Sequence, residues 1–150
     1  MVADAAVTRP GPPGHAPLRV LYVDDDRINA LLFEAICRTV GDGTDGVRVT
    51  LAESGAEALE FARTHAPDLL VLDLHLPDIS GTDLLPRLRA VVGNATLPAV
   101  LCTAESPEDV SPRALAAGFD RCWGKPVEPD ELRAELTVLA ARRADAGAGR

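Results

Sequence analysis

Between residues 18 and 143, short β-branched or leucine-rich runs alternate with amphipathic stretches five times over. That alternation constrains the fold more than any other feature, because strands separated by helical segments pair in parallel and the helices cover the sheet. The strands are expected at Arg19–Val23, Val47–Ala52, Asp68–Leu72, Ala99–Thr103 and Phe119–Trp123. Three of them contain the unbroken apolar runs VLYV, LLVL and AVLC, as strands covered on both faces should. Between strands, Ile28, Leu31, Leu32, Ala35, Ile36 and Thr39 recur at helical spacing and give the first helix an apolar stripe. Leu132, Leu136, Leu139 and Arg143 follow the same period in the last helix.

Local signals refine the boundaries. Ser54 and Glu57 form a capping box at the start of the second helix, and Pro129, Asp130 and Glu131 suit the positive end of the last. Pro86 would remove a backbone donor from the third helix, so its start is predicted as late as Thr82. Two Ser-Pro pairs and Gly118 predict a short, loosely held fourth helix, regular only over Pro112–Ala117. The Pro/Gly-rich segment 1–17, the GDGTDG loop at 41–46 and the end, 144–150, read as flexible. A single domain over 18–143 is expected, with no output domain expected in the few residues beyond the last helix.

Composition removes several function classes. Asp and Glu outnumber Lys and Arg by 23 to 15, a formal charge of −8, which argues against nucleic acid as a direct partner. No run is long and apolar enough to span a membrane and no signal peptide opens the chain, so a cytoplasmic protein is expected. Cys37, Cys102 and Cys122 are odd in number, lack metal-ligand spacing, and read as reduced, mostly buried thiols. One oddity remains: fourteen of the fifteen basic residues are Arg, and Lys125 is the sole lysine.

In a parallel α/β sheet, ligands bind beyond the carboxyl ends of the strands. Four of the expected strand ends carry reactive groups there: Asp24-Asp25-Asp26, Asp73, Thr103 and Lys125. An acidic triplet alone is an ordinary helix start, and a lone Thr or Lys means little. Their coincidence on one edge is a different matter. Converging carboxylates repel unless a cation sits between them, and an all-oxygen set with room for waters and a phosphate suits Mg²⁺. With an aspartate nucleophile, a lysine and a rotatable hydroxyl, the set suffices for phosphoryl transfer.

On these residues, LYVDDD with Asp24 and Asp25, VLDLHLPDISG around Asp73, LCTAE with Thr103 and GKP with Lys125, the chain resembles the receiver domain of two-component response regulators over about residues 18–140. The spacings of 30 residues from Asp73 to Thr103 and 22 from Thr103 to Lys125 are similar to the family's. The resemblance implies a doubly wound (βα)5, flavodoxin-like, parallel five-stranded sheet in one domain. It implies that Asp73 accepts phosphate from the phosphohistidine of a sensor histidine kinase or histidine phosphotransfer protein. Asp24, Asp25, Asp73 and the backbone carbonyl of His75 would hold Mg²⁺, Asp24 largely through water, while Lys125 and Thr103 would meet the phosphoryl group. Ala104 would leave the phosphodonor a way in, and the Lys125-Pro126 bond is expected to be cis.

One position departs from the family. Three residues before the lysine, where an aromatic usually stands, this chain has Cys122; Trp123 is adjacent but should point to the opposite face. Readout of phosphorylation is therefore expected through the loop after Thr103 and the fourth helix, to an unidentified downstream protein. By period 2 His75 is expected to face the site, where it could tune the access of water; the equal alternative is a partly exposed loop histidine with no role. Trp-Gly-Lys-Pro looks more like receivers attached to sensor kinases than like those of transcription factors. An alternative is an aspartyl-phosphate phosphatase of the haloacid dehalogenase type, but that chemistry needs an acid/base Asp where His75 stands. A nucleotide-binding domain would need a glycine-rich phosphate loop after a strand, and none is present.

Overall fold

The computed structural model describes residues 17–40 and 46–148; the expected N-terminal tail up to residue 16, nearly all of the 41–46 loop and the last two residues lie outside them. Five βα units follow one another: β1 (Leu18–Val23), α1 (Arg27–Cys37), β2 (Val47–Ala52), α2 (Gly55–Thr64), β3 (Leu69–Asp73), α3 (Gly81–Val92), β4 (Ala99–Thr103), α4 (Pro107–Ala117), β5 (Arg121–Gly124) and α5 (Pro129–Ala148). All strands pair in parallel in the order β2-β1-β3-β4-β5, the doubly wound flavodoxin-like arrangement that was expected. The helix of α5 reaches Ala148, five residues beyond the expected limit of the domain; its alanines have the highest helix propensity.

Strand alternation sends side chains into two separate apolar layers. On one face Leu21, Val23, Leu70, Leu72 and Leu101 pack with α2, α3 and α4; on the other Val20, Tyr22, Leu69, Val71 and Val100 pack with α1 and α5. Each fully buried Leu or Val contributes about 1.5–3 kcal/mol relative to exposure. As expected from period 2, Cys122 packs with the first layer and Trp123 with the second, where its indole donates to Glu135 Oε1 at 3.0 Å. Cys37 and Cys102 are buried free thiols, held up at about 12 by burial.

Two helices correct the sequence reading. In α1 the buried residues are Ala30, Phe33, Ile36 and Cys37, whereas Ile28, Leu31 and Leu32 are 78%, 50% and 40% exposed. The helix is apolar on most sides, so two stripes satisfy the period; the one carrying Phe33 faces the sheet because its ring stacks on Tyr22, centroids 4.3 Å apart. The fourth helix is not confined to Pro112–Ala117 but regular from Pro107. Pro107 occupies the first helical turn, where no donor is needed, and Pro112 is exposed, so water can satisfy the freed carbonyl while Val110 and Ala114 anchor the inner face. Pro86 is likewise exposed inside α3, which starts at Gly81 with Ser80 as its cap.

Two contacts fix the loop that follows β3. Asp78 accepts the amides of Gly55 and Ala56, both at 2.9 Å, tying the loop to the first turn of α2. Gly81 lies so close to β3 that a Cβ there would collide with the carbonyl oxygen of Asp73. Gly81→Ala should therefore cost about 2–3 kcal/mol. The expected result is a lower urea midpoint at an unchanged m-value.

Candidate functional site

Every strand-end residue singled out in the sequence lies at the carboxyl edge of the sheet, around the point where β1 and β3 adjoin and the winding reverses. Asp24 follows β1 and is 1% exposed; Asp25 beside it is exposed; Asp73 ends β3 and is 6% exposed. One carboxylate oxygen from each of the three lies within 4.8 Å of the others. Asp26 does something else: it caps α1, accepting the amides of Ile28 and Asn29 at 2.9 and 3.2 Å.

Lys125 closes the cluster. Its Nζ stands 3.0 Å from Asp24 Oδ2 and 3.2 Å from Asp73 Oδ2, with the side chain 9% exposed. The Lys125-Pro126 bond is cis, as expected, and the Lys125 amide donates to the Thr103 carbonyl at 2.8 Å, holding the end of β5 against β4. Burial alone would lower the ammonium, but the hydrogen bonds and charges of Asp24 and Asp73 outweigh it and hold Lys125 above its ordinary value. Burial pushes the Asp73 carboxyl up; the Lys125 charge opposes this and the Asp24 charge adds to it, with a net rise.

Thr103 is fully buried and its hydroxyl oxygen accepts the Glu105 amide at 3.1 Å. The His75 amide donates to Asp73 Oδ1 at 3.3 Å, keeping that backbone against the Asp73 carboxylate. The His75 ring does not turn towards Asp73: it is exposed, with Nε2 2.6 Å from Glu105 Oε2, and Glu105 Oε1 also meets Arg113 of α4 at 3.4 Å. Sequence reasoning missed Glu105 altogether. It also missed Tyr22, whose hydroxyl donates to Asp24 Oδ2 at 3.0 Å, although residues two apart at a strand end share a face.

Three ionised carboxylates, two of them buried, against one ammonium leave a formal charge of −2 at this edge of the sheet. The metal-ligating groups that converge there among the described residues are carboxylates, so a hard divalent cation fits by charge and by chemistry. The profile of the response regulator receiver domain matches residues 20–137. This chain belongs to that family. The receiver is 36% identical over 147 residues to the virulence sensor protein BvgS of Bordetella pertussis, covering 95% of this chain and 11% of that one. It is 36% identical over 126 residues to the probable transcriptional regulatory protein TcrX of Mycobacterium tuberculosis, covering 84% and 51%. It thus spans about half or less of these curated relatives. Among solved structures, a putative response regulator from Chloroflexus aurantiacus matches with a TM-score of 0.72 at 35% identity, over 84% of this chain and 99% of that one. The receiver domain of a Pseudomonas aeruginosa sensor histidine kinase, with a magnesium ion coordinated in its active-site cleft, matches at 0.67 and 28% identity, over 87% and 99%. Nothing supports the phosphatase alternative, since the residue two after Asp73 is an exposed histidine engaged with Glu105.

A carboxyl held above its ordinary value stabilises the fold below its unfolded-state pKa and loses that contribution as pH rises through the folded value. At neutral pH the ionised Asp73 is therefore a liability. Asp73→Asn should raise Tm near pH 7 in EDTA by about 2–4 °C, on the order of 1 kcal/mol, with Lys125 keeping Asp24 as partner. The gain should shrink towards pH 4, as read by calorimetry across pH.

Proposed function

We propose that this receiver takes a phosphoryl group on Asp73 from a protein phosphohistidine, with Asp24, Asp25, Asp73 and the His75 carbonyl holding Mg²⁺. The observation that carries it is Lys125 Nζ held between two buried carboxylates, one of them the acceptor. A carboxylate oxygen of Asp73 attacks phosphorus, the bond from phosphorus to the imidazole nitrogen breaks with its electron pair passing to that nitrogen, and the donor ring, protonated on its other nitrogen beforehand, leaves as neutral imidazole. Mg²⁺ would supply positive charge to the transferring oxygens. Lys125 turns from Asp24 to the phosphoryl group, and the Thr103 hydroxyl, whose oxygen accepts the Glu105 amide in this structure, turns to give it a hydrogen bond. Exposed Ala104 leaves the approach open.

The partner is a sensor histidine kinase or histidine phosphotransfer protein, and the cellular site the cytoplasm. No helix among the described residues is long and apolar enough to cross a membrane. The uncovered stripe of Ile28, Leu31 and Leu32 on α1, the helix that begins beside Asp25, gives a helical phosphodonor an apolar surface next to the acceptor. Downstream, the geometry favours readout through α4. Once Thr103 turns to the phosphate, the Glu105 amide loses its acceptor, and Glu105 is the residue that ties His75 to Arg113.

With Mg²⁺, acetyl phosphate should add one phosphoryl group to the wild type, detected by mass spectrometry, and none to Asp73→Asn; equal labelling would remove Asp73 as acceptor. Lys125→Arg should still be labelled but respond poorly, because the planar guanidinium replaces a compact ammonium poorly between two carboxylates. Amide exchange across residues 104–118 should quicken on phosphorylation; identical exchange in both forms would refute the α4 route.

A further inference from the structure

Asp24 is a buried carboxylate served by three donors: the Asp26 amide on Oδ1 at 2.9 Å, and on Oδ2 both Lys125 Nζ and the Tyr22 hydroxyl, each at 3.0 Å. The proposed phosphorylation uses only Lys125 of these three. When the ammonium turns to a phosphoryl group on Asp73, Asp24 loses its one direct charged hydrogen-bond donor, and the Mg²⁺ that it would help to hold would be reached largely through water. A buried carboxylate that gives up a direct ammonium contact is destabilised, and that cost opposes the movement. Tyr22 is placed to reduce it. Its ring is 1% exposed and stacked on Phe33 at an interplanar angle of 24°, which fixes the hydroxyl on Asp24. A phenol hydroxyl is a donor at neutral pH. A cavity of about 10 Å³, lined in part by Tyr22, Phe33, Lys125 and Val127, has room for about one water.

We propose that Tyr22 is a positioning residue that keeps Asp24 satisfied and so frees Lys125 to move onto the phosphoryl group of Asp73. The assignment rests on the phosphoacceptor reading above. Tyr22 touches neither the acceptor nor, among the described residues, Lys125 itself by a hydrogen bond; it acts through the oxygen the two share. A receiver with an apolar residue here would have to release Lys125 from an otherwise poorly served carboxylate.

The test uses beryllofluoride with Mg²⁺ as the phosphoryl mimic, on the whole chain. Tyr22→Phe keeps the stacked ring and should weaken beryllofluoride binding roughly tenfold, as expected for a lost hydrogen bond to a charged group. In a Lys125→Ala background the same substitution should change affinity less than about twofold, because the movement it assists no longer occurs. Equal losses in both backgrounds would mean that Tyr22 only packs, and would overturn the proposal. A second readout needs no variant. The chain has a single tyrosine, so its ultraviolet resonance Raman bands report this one hydroxyl. They should shift when beryllofluoride joins the Mg²⁺-loaded wild type, and an unmoved spectrum would overturn the proposal even if a variant failed to fold or bound too weakly to titrate. Failure of the wild type to bind beryllofluoride would instead refute the phosphoacceptor reading on which the inference stands.

Discussion

A single ammonium holding two buried carboxylates together is the constraint around which this receiver is arranged. Like charges at the mouth of a sheet would repel, and the low dielectric of the interior amplifies the repulsion. Lys125 offsets part of it, and doing so requires that the ends of β1, β3 and β5 arrive at one place, although Asp24 and Lys125 are 101 residues apart in sequence. The parallel pairing of five strands is what brings them there. The two apolar layers hold the strand ends rigid from either side, so the site's unfavourable electrostatics are sustained by packing some distance below it.

Much of this was legible in the chain because the signals were local and redundant. The apolar runs in β1, β3 and β4 are too continuous for anything but covered strands, and the acidic and basic groups follow those strands directly. Where two readings satisfied the same period, sequence could not choose. Ile28, Leu31 and Leu32 repeat as well as Ala30, Phe33 and Ile36 do, and the matter was decided by Phe33 meeting Tyr22 across the layer, a tertiary contact. Pro112 misled for a related reason: a proline's cost depends on whether its orphaned carbonyl faces water, which only the assembled helix shows. Tyr22 and Glu105 escaped notice because each looks like an ordinary strand or loop residue until its partner is placed opposite it.

With Cys122 three residues before Lys125, β5 carries no aromatic ring on the α2–α4 side of the sheet. Cys122 is only partly buried and packs on the α2–α4 side of the sheet, while the bulky Trp123 is committed to the other layer through Glu135. The connection from Thr103 through the Glu105 amide to Arg113 needs no large side chain to swing, only a short loop to lose one hydrogen bond.

The uncovered stripe on α1 also bears on how copies of the chain behave towards each other in solution. Ile28, Leu31 and Leu32 lie open together on one helix of a molecule whose formal charge is −8. At low ionic strength, mutual repulsion keeps such surfaces apart. At physiological salt the field reaches only about 8 Å, and the stripe is then exposed to whatever fits it. The acidity of the chain thus acts as a colloidal guard on a sticky face, one that a partner with a basic rim passes more easily than a second copy does.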